Sequence, residues 1–244
     1  MNRHVFVFLL FVLVSSLYAK GKFITYTVEG KKYEGYYAGN EQNSPLVILV
    51  HDWDGLTEYE VKRAEMLLVE GYSVFAVDLF GKNIRPTETK ERRTLTGSLY
   101  NDRKKMRSLL NGGIKTAGEQ GGNVKNTVIA GYCFGGAAVL ELARSGAALK
   151  GFVSFHGGLE TPEGQSYKNT KGNVLILHGT ADTSITMDHF AGLAKELEEN
   201  KIKHEMISYS GAPHAFTVFG SPRYREDSDK KSWKRFLEFL EEVL

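Results

Sequence analysis

The chain reads as an α/β fold: a mostly parallel central sheet, helices on both faces and an antiparallel hairpin at the N-terminal edge. Three observations predict it. Apolar runs rich in β-branched residues alternate with helical patterns along most of the 244 residues, the order that builds strand–helix–strand crossovers. Those runs are continuous rather than alternating, as Pro45-Leu46-Val47-Ile48-Leu49-Val50 illustrates, so both faces of the strands are expected to be covered. A third run, Thr127-Val128-Ile129-Ala130, passes through Gly131-Tyr132-Cys133-Phe134-Gly135-Gly136 directly into an Ala/Leu-rich helix. That is a strand, a sharp turn and a helix, with glycines two before and two after one cysteine.

Each element follows in order. Arg3 and His4 precede an apolar run at residues 5–14, and Ser15-Ser16-Leu17-Tyr18-Ala19 follows. A charged start, a short apolar stretch and a final small residue read as a signal peptide, residues 1–19, cut after Ala19. The run is half the roughly 20 residues that a spanning helix needs. An uncleaved anchor stays open, because Leu17 is large for its position before the cut. The protein is therefore expected to be exported, periplasmic or secreted, as one domain over residues 20–244. Residues 22–28 alternate as a half-buried strand, 29–31 turn, and 32–38 return as its hairpin partner. Residues 39–44 form a polar loop before the buried strand 45–50, which ends in His51-Asp52-Trp53-Asp54-Gly55.

Residues 58–70 carry Val61, Ala64, Leu67 and Leu68 at helical spacing, closed by Gly71. The next strand, 72–77, ends in Asp78-Leu79-Phe80-Gly81-Lys82. Pro86 and several charges make 83–91 a loop or short helix, and the mixed-sign Lys90-Glu91-Arg92-Arg93 reads as a solvated helix face. One long helix is expected over 99–117, and glycine-rich residues 118–123 lead into the cysteine's strand. Strand 149–155 ends in His156-Gly157-Gly158, and strand 172–177 ends in His178-Gly179-Thr180-Ala181-Asp182. A helix over 188–200 and the last strand, 203–209, precede Ala212-Pro213-His214-Ala215-Phe216. Residues 229–244 close the chain as a helix, with Trp233, Phe236, Leu237, Leu240 and Leu244 on one face.

The chemistry-bearing residues sit at strand ends, where ligands bind in open α/β sheets. Cys133, Asp182 and His214 fall in three such loops, in the order nucleophile, acid, base. A neutral thiol needs a base, here His214; Asp182 would hold the imidazole in the useful tautomer. The turn exposes the sulfur beside the positive end of a helix, which is expected to lower its pKa. Two backbone N–H groups, those of Phe134 and Trp53, are the expected oxyanion donors. His51 and His156 end strands and are candidates to line a pocket; His178 is expected to organise the acid loop, and His189 and His204 to lie at the surface. No histidine pair has zinc-site spacing, so no metal is expected. Cys133 is the only cysteine, which rules out an intrachain disulfide. A formal charge of +2, with no basic stripe interleaved with aromatics, gives no case for nucleic acid. With the signal removed, no stable membrane partner is expected.

Four features carry a resemblance over residues 36–244: Val-His-Asp-Trp-Asp-Gly, Asp-Leu-Phe-Gly, Gly-Tyr-Cys-Phe-Gly-Gly and the Asp182/His214 pair. The chain resembles the dienelactone hydrolase family, α/β-hydrolases that use a cysteine. The resemblance implies cleavage of a small-molecule ester or lactone through a thioester intermediate, with no cofactor. It implies that Asp52, where the family typically has Glu, contacts the thiol and tunes it. Two family arginines that hold a substrate carboxylate are replaced, one by Val218 and one by Lys82, with Arg85 nearby. Lys82 and Arg85 are therefore the candidates to attract an acidic substrate. Two other readings remain open: a binding or thiol-redox protein on the same scaffold, and an acyl hydrolase for a peptide or thioester.

Overall fold

The computed structural model describes residues 21–39 and 42–244; the predicted signal, residues 1–19, lies outside them. Strands β1 (Lys22–Val28), β2 (Lys31–Ala38), β3 (Pro45–Val50), β4 (Ser73–Val77), β5 (Asn123–Tyr132), β6 (Gly151–Phe155), β7 (Asn173–Gly179) and β8 (His204–Tyr209) form one sheet. Their order is β1-β2-β4-β3-β5-β6-β7-β8. The β1–β2 hairpin and the β2–β4 pair are antiparallel, and every other pair is parallel. The helices are α1 (Glu58–Val69), α2 (Thr89–Asn101), α3 (Arg103–Glu119), α4 (Phe134–Arg144), α5 (Met187–Glu199) and α6 (Glu226–Val243). Among the described residues, no helix is long and apolar enough to cross a membrane.

The continuous apolar strands are explained by their two covers. Along β3, Ile48 and Val50 join the layer of α3, α4 and α5, while Val47 and Leu49 join the layer of α1 and α6. Successive side chains point to opposite faces, so a strand covered twice must be apolar at every position. Burial at 25–30 cal/mol per Å² makes these two layers the main source of stability.

The expected single helix over 99–117 is two helices. Asp102 breaks them: its backbone leaves the helical region (φ −119°, ψ 72°), and its carboxylate accepts from the Lys105 N–H at 3.0 Å as the cap of α3. The helix before it starts at Thr89, inside the stretch 83–91 expected to be a loop or short helix, and runs on to Asn101. It buries only Thr96 and Leu99, too few apolar positions for periodicity to reveal.

One buried carboxyl group has a stability consequence. Glu60 closes the capping box of α1, accepting from the Thr57 N–H at 2.8 Å and the Thr57 hydroxyl at 2.9 Å. It is fully buried, and its Oε1 has no partner among the described residues. Burial raises its pKa to about 8. The folded state thus holds a proton that the unfolded state has lost, between the ordinary value of 4.5 and about 8, so stability falls as pH rises through that window. Glu60→Gln keeps the Thr57 acceptor and removes the titration. Urea denaturation at about pH 5 and about pH 8 should show the variant gaining about 1–3 kcal/mol on wild type at the higher pH. A difference that is the same at both pH values would mean that Glu60 ionises freely in the fold.

Candidate active site

The turn between β5 and α4 holds Cys133 at φ +50°, ψ −112°, a left-handed conformation that costs a non-glycine residue about 1–3 kcal/mol. The neighbouring glycines permit it. A Cβ at Gly131 would lie 2.3 Å from the backbone of Gly135, and one at Gly135 would lie 2.3 Å from the Val50 carbonyl. Strand, turn and helix therefore approach as only glycines allow. The Cys133 N–H donates to the Phe155 carbonyl at 3.0 Å, extending the β5–β6 ladder to the cysteine itself.

Three loops bring the predicted side chains together. His214 Nε2 lies 3.1 Å from Cys133 Sγ, and His214 Nδ1 lies 2.7 Å from Asp182 Oδ2. The second Asp182 oxygen accepts from the N–H groups of Ser184 (2.8 Å) and Ile185 (2.9 Å). Burial opposes ionisation of Asp182, but the His214 hydrogen bond and these two amides outweigh it and hold its pKa below the ordinary value. The acid and base loops are joined to each other. Ala181 N–H donates to the Ala212 carbonyl at 3.0 Å, and Gly211 N–H donates to the Thr180 hydroxyl at 2.9 Å. His178 ties its Nε2 to the Ile185 carbonyl at 2.8 Å, which closes the acid loop.

The thiol departs from the expectation drawn from the helix end. Its pKa is pushed well above the ordinary value, first by burial, then by the charge of Asp52 and a hydrogen bond to it; the Phe134 N–H acts in the opposite direction. Asp52 is itself raised to about 6 by burial and by Asp54. The sulfur thus sits as a neutral thiol between two bases. The Trp53 N–H, an expected oxyanion donor, is engaged by the Asp52 carboxylate. Asp52 and Phe134 therefore lie against the sulfur, while the Trp53 donor is held by Asp52 in this state.

A cleft of about 450 Å³ opens over Cys133 and His214. The other sequence candidates do not line it. His51 is fully buried: its Nε2 accepts from the Leu79 N–H at 3.1 Å, which leaves Nδ1 to donate to the Asp52 carbonyl at 2.6 Å. It positions the Asp52 loop from beneath. His156 is fully buried behind His214, their rings 5.4 Å apart. Lys82 is taken by Glu34 (2.9 Å) and the Thr25 hydroxyl (2.7 Å) on the hairpin. Arg85 bonds the Ile84 carbonyl at 2.7 Å and lies 3.6 Å from the buried Asp78 carboxylate. Both cations belong to the hairpin side of the molecule, where fixed carboxylates claim them.

The cleft carries cations other than the expected Lys82 and Arg85. Arg92, Arg93 and Arg223 line it, so Lys90-Glu91-Arg92-Arg93 is more than a solvated face. Arg92 stacks over Trp53 at 5.3 Å and donates to the Pro86 carbonyl at 3.0 Å. The side chains of Arg93 and Arg223 are exposed at the cleft, with no hydrogen-bond or ion-pair partner among the described residues. Among the described residues, no group of three His, Cys, Asp or Glu side chains could hold a metal ion.

The chain is similar to known proteins in sequence and in fold. Residues 33–244 match the model of the dienelactone hydrolase family. A Salmonella typhimurium protein provisionally named carboxymethylenebutenolidase is 28% identical over 225 residues, 87% of this chain and 83% of that one. Its Escherichia coli K12 counterpart is 27% identical over 227 residues, 88% and 84% of the two chains. Among solved structures, a dienelactone hydrolase-like promiscuous phosphotriesterase from metagenomic libraries superposes with a TM-score of 0.84. It is 25% identical, and the match covers 91% of this chain and 98% of that one.

Proposed function

The chain belongs to the dienelactone hydrolase family, and from that premise we propose that it cleaves small carboxylic esters or lactones with Cys133 as nucleophile. The observation that carries this reading is the unbroken line from Asp182 Oδ2 through His214 to Cys133 Sγ, 2.7 Å and 3.1 Å. Such a line moves a proton off the thiol as a carbon–sulfur bond forms. His214 Nε2, or Asp52 on the other side, accepts the thiol proton while sulfur attacks the carbonyl carbon. The oxyanion that forms meets the Phe134 N–H. Protonation of Asp52 would weaken its hold on the Trp53 N–H, freeing a second donor. The intermediate collapses to a thioester as the leaving alkoxide takes up the proton that the base, His214 or Asp52, removed from the thiol. Water then gives a proton to His214 and attacks the thioester, releasing the carboxylic acid and restoring the thiol.

The arginines of the cleft suggest an acidic substrate, held by Arg93 and Arg223 in place of the expected Lys82 and Arg85. Two charges 4 Å apart near a protein surface attract by a few kcal/mol before screening. The test uses two activated esters, 4-nitrophenyl acetate and the 4-nitrophenyl monoester of glutaric acid. Both should be turned over, and prior alkylation of Cys133 with iodoacetamide should stop both. The acidic ester should have the lower KM, and Arg93→Glu with Arg223→Glu should raise that KM about tenfold, leaving the neutral ester's within about twofold. Turnover that survives complete alkylation would overturn the nucleophile; equal KM values in wild type and variant would overturn the acidic substrate.

A further inference from the structure

His214 stands on a loop that is braced from beneath by buried polar groups outside the reacting line. Thr217, three residues on, is fully buried. Its hydroxyl lies 2.8 Å from His156 Nε2 and 2.7 Å from the Tyr59 hydroxyl. Its carbonyl accepts from Arg63 Nη2 at 2.9 Å. Arg63 also donates from Nε to the Tyr59 hydroxyl at 3.2 Å and pairs with Asp229 on α6. The His214 loop is thereby tied to the end of β6, to α1 and to α6. His156 then closes the arrangement, its ring meeting the His214 ring edge to face at 5.4 Å and 65°. Both sides of that contact have unusual backbone: His156 at φ +40° and Ala215, next to His214, at φ +61°. A left-handed conformation in a residue other than glycine persists only where its surroundings over-determine it.

The chemistry requires such a brace. His214 must face Cys133 with one nitrogen and Asp182 with the other, and misplacement by about 1 Å can cost on the order of 100-fold in rate. Burial and the nearby His214 keep His156 neutral, so it can pack against the His214 ring without competing for the proton.

We propose that His156, Thr217, Tyr59 and Arg63 are positioning residues, a buried brace that aims the His214 imidazole at Cys133. The proposal rests on the hydrolase reading above, and its test separates the two. Thr217→Val keeps the shape and removes the hydroxyl; Thr217→Ser restores it. On 4-nitrophenyl acetate, T217V should lose about tenfold or more in kcat with KM unchanged within about twofold, and T217S should stay within about threefold of wild type. Tyr59→Phe, which leaves the Thr217 hydroxyl one partner, should lose about three- to fivefold and serves if T217V does not fold. The rate of Cys133 alkylation by iodoacetamide is read in parallel. It reports how His214 faces the thiol even if no ester is turned over, and it should fall in T217V and recover in T217S. Wild-type kcat and alkylation rate in T217V, or equal losses in T217V and T217S, would overturn the brace.

Discussion

Cys133→Ala is expected to lower kcat by about four orders of magnitude or more, since on the proposed mechanism it removes the nucleophile of a coupled triad and forfeits nearly all the rate that the triad would supply. That is about 5.5 kcal/mol of transition-state stabilisation. Stability should hardly change. Alanine has the same Cβ at φ +50° and therefore the same backbone strain, and it removes a group whose ionised form burial and Asp52 disfavour. The melting temperature should stay within a few degrees, which separates loss of chemistry from loss of fold. The kinetic assay pairs with the intact-protein mass during turnover of 4-nitrophenyl acetate. Wild type should carry an acetyl adduct that disappears when substrate is exhausted, and the variant should carry none. Full activity in C133A would remove the cysteine from the mechanism. Wild type without turnover, but with reversible oxidation at Cys133, would favour the thiol-redox reading.

Legibility in the sequence followed the range of the interactions. The turn around Cys133 was legible because its demand is local: Gly131 and Gly135 touch within one turn of chain, so the spacing itself carries the constraint. Asp182 and His214 were legible because each stands in the loop that follows a predicted strand, at the carboxyl edge of the sheet. What failed depended on contacts distant in sequence. The helix end beside Cys133 argued for an acidified thiol, but the larger influences are burial and Asp52, 81 positions earlier by number. Lys82 and Arg85 stand beside a strand end and still miss the cleft, because Glu34 and Thr25 of the hairpin and the Asp78 carboxylate claim them. Arg92, Arg93 and Arg223 reach the cleft from a weakly amphipathic helix and from the loop beyond His214, where no periodicity marks them.

Asp182→Asn tests the remaining link, and a second large loss is expected from it. The asparagine carbonyl can take over the hydrogen bonds from Ser184 and Ile185, which fixes its amide nitrogen toward His214 Nδ1. An amide nitrogen only donates. His214 Nδ1 must then be the acceptor, so the proton moves to Nε2, the nitrogen that faces Cys133 at 3.1 Å. A base already protonated there cannot take the thiol's proton. A triad acid replaced by its amide costs on the order of 10⁴ in kcat with geometry intact, and a loss of that size is expected here, with slower alkylation of Cys133. Stability has its own sign. The Asp182 pKa is depressed on folding, so its contribution is present above the ordinary carboxylate value and is lost as pH falls through the folded one. Wild type should therefore lose stability on acidification more steeply than the variant. If D182N keeps activity within about tenfold of wild type, the tautomer of His214 does not limit the reaction. Asp52, the other base against the sulfur, would then be the group that takes the thiol's proton, and Asp52→Asn should carry the large loss instead.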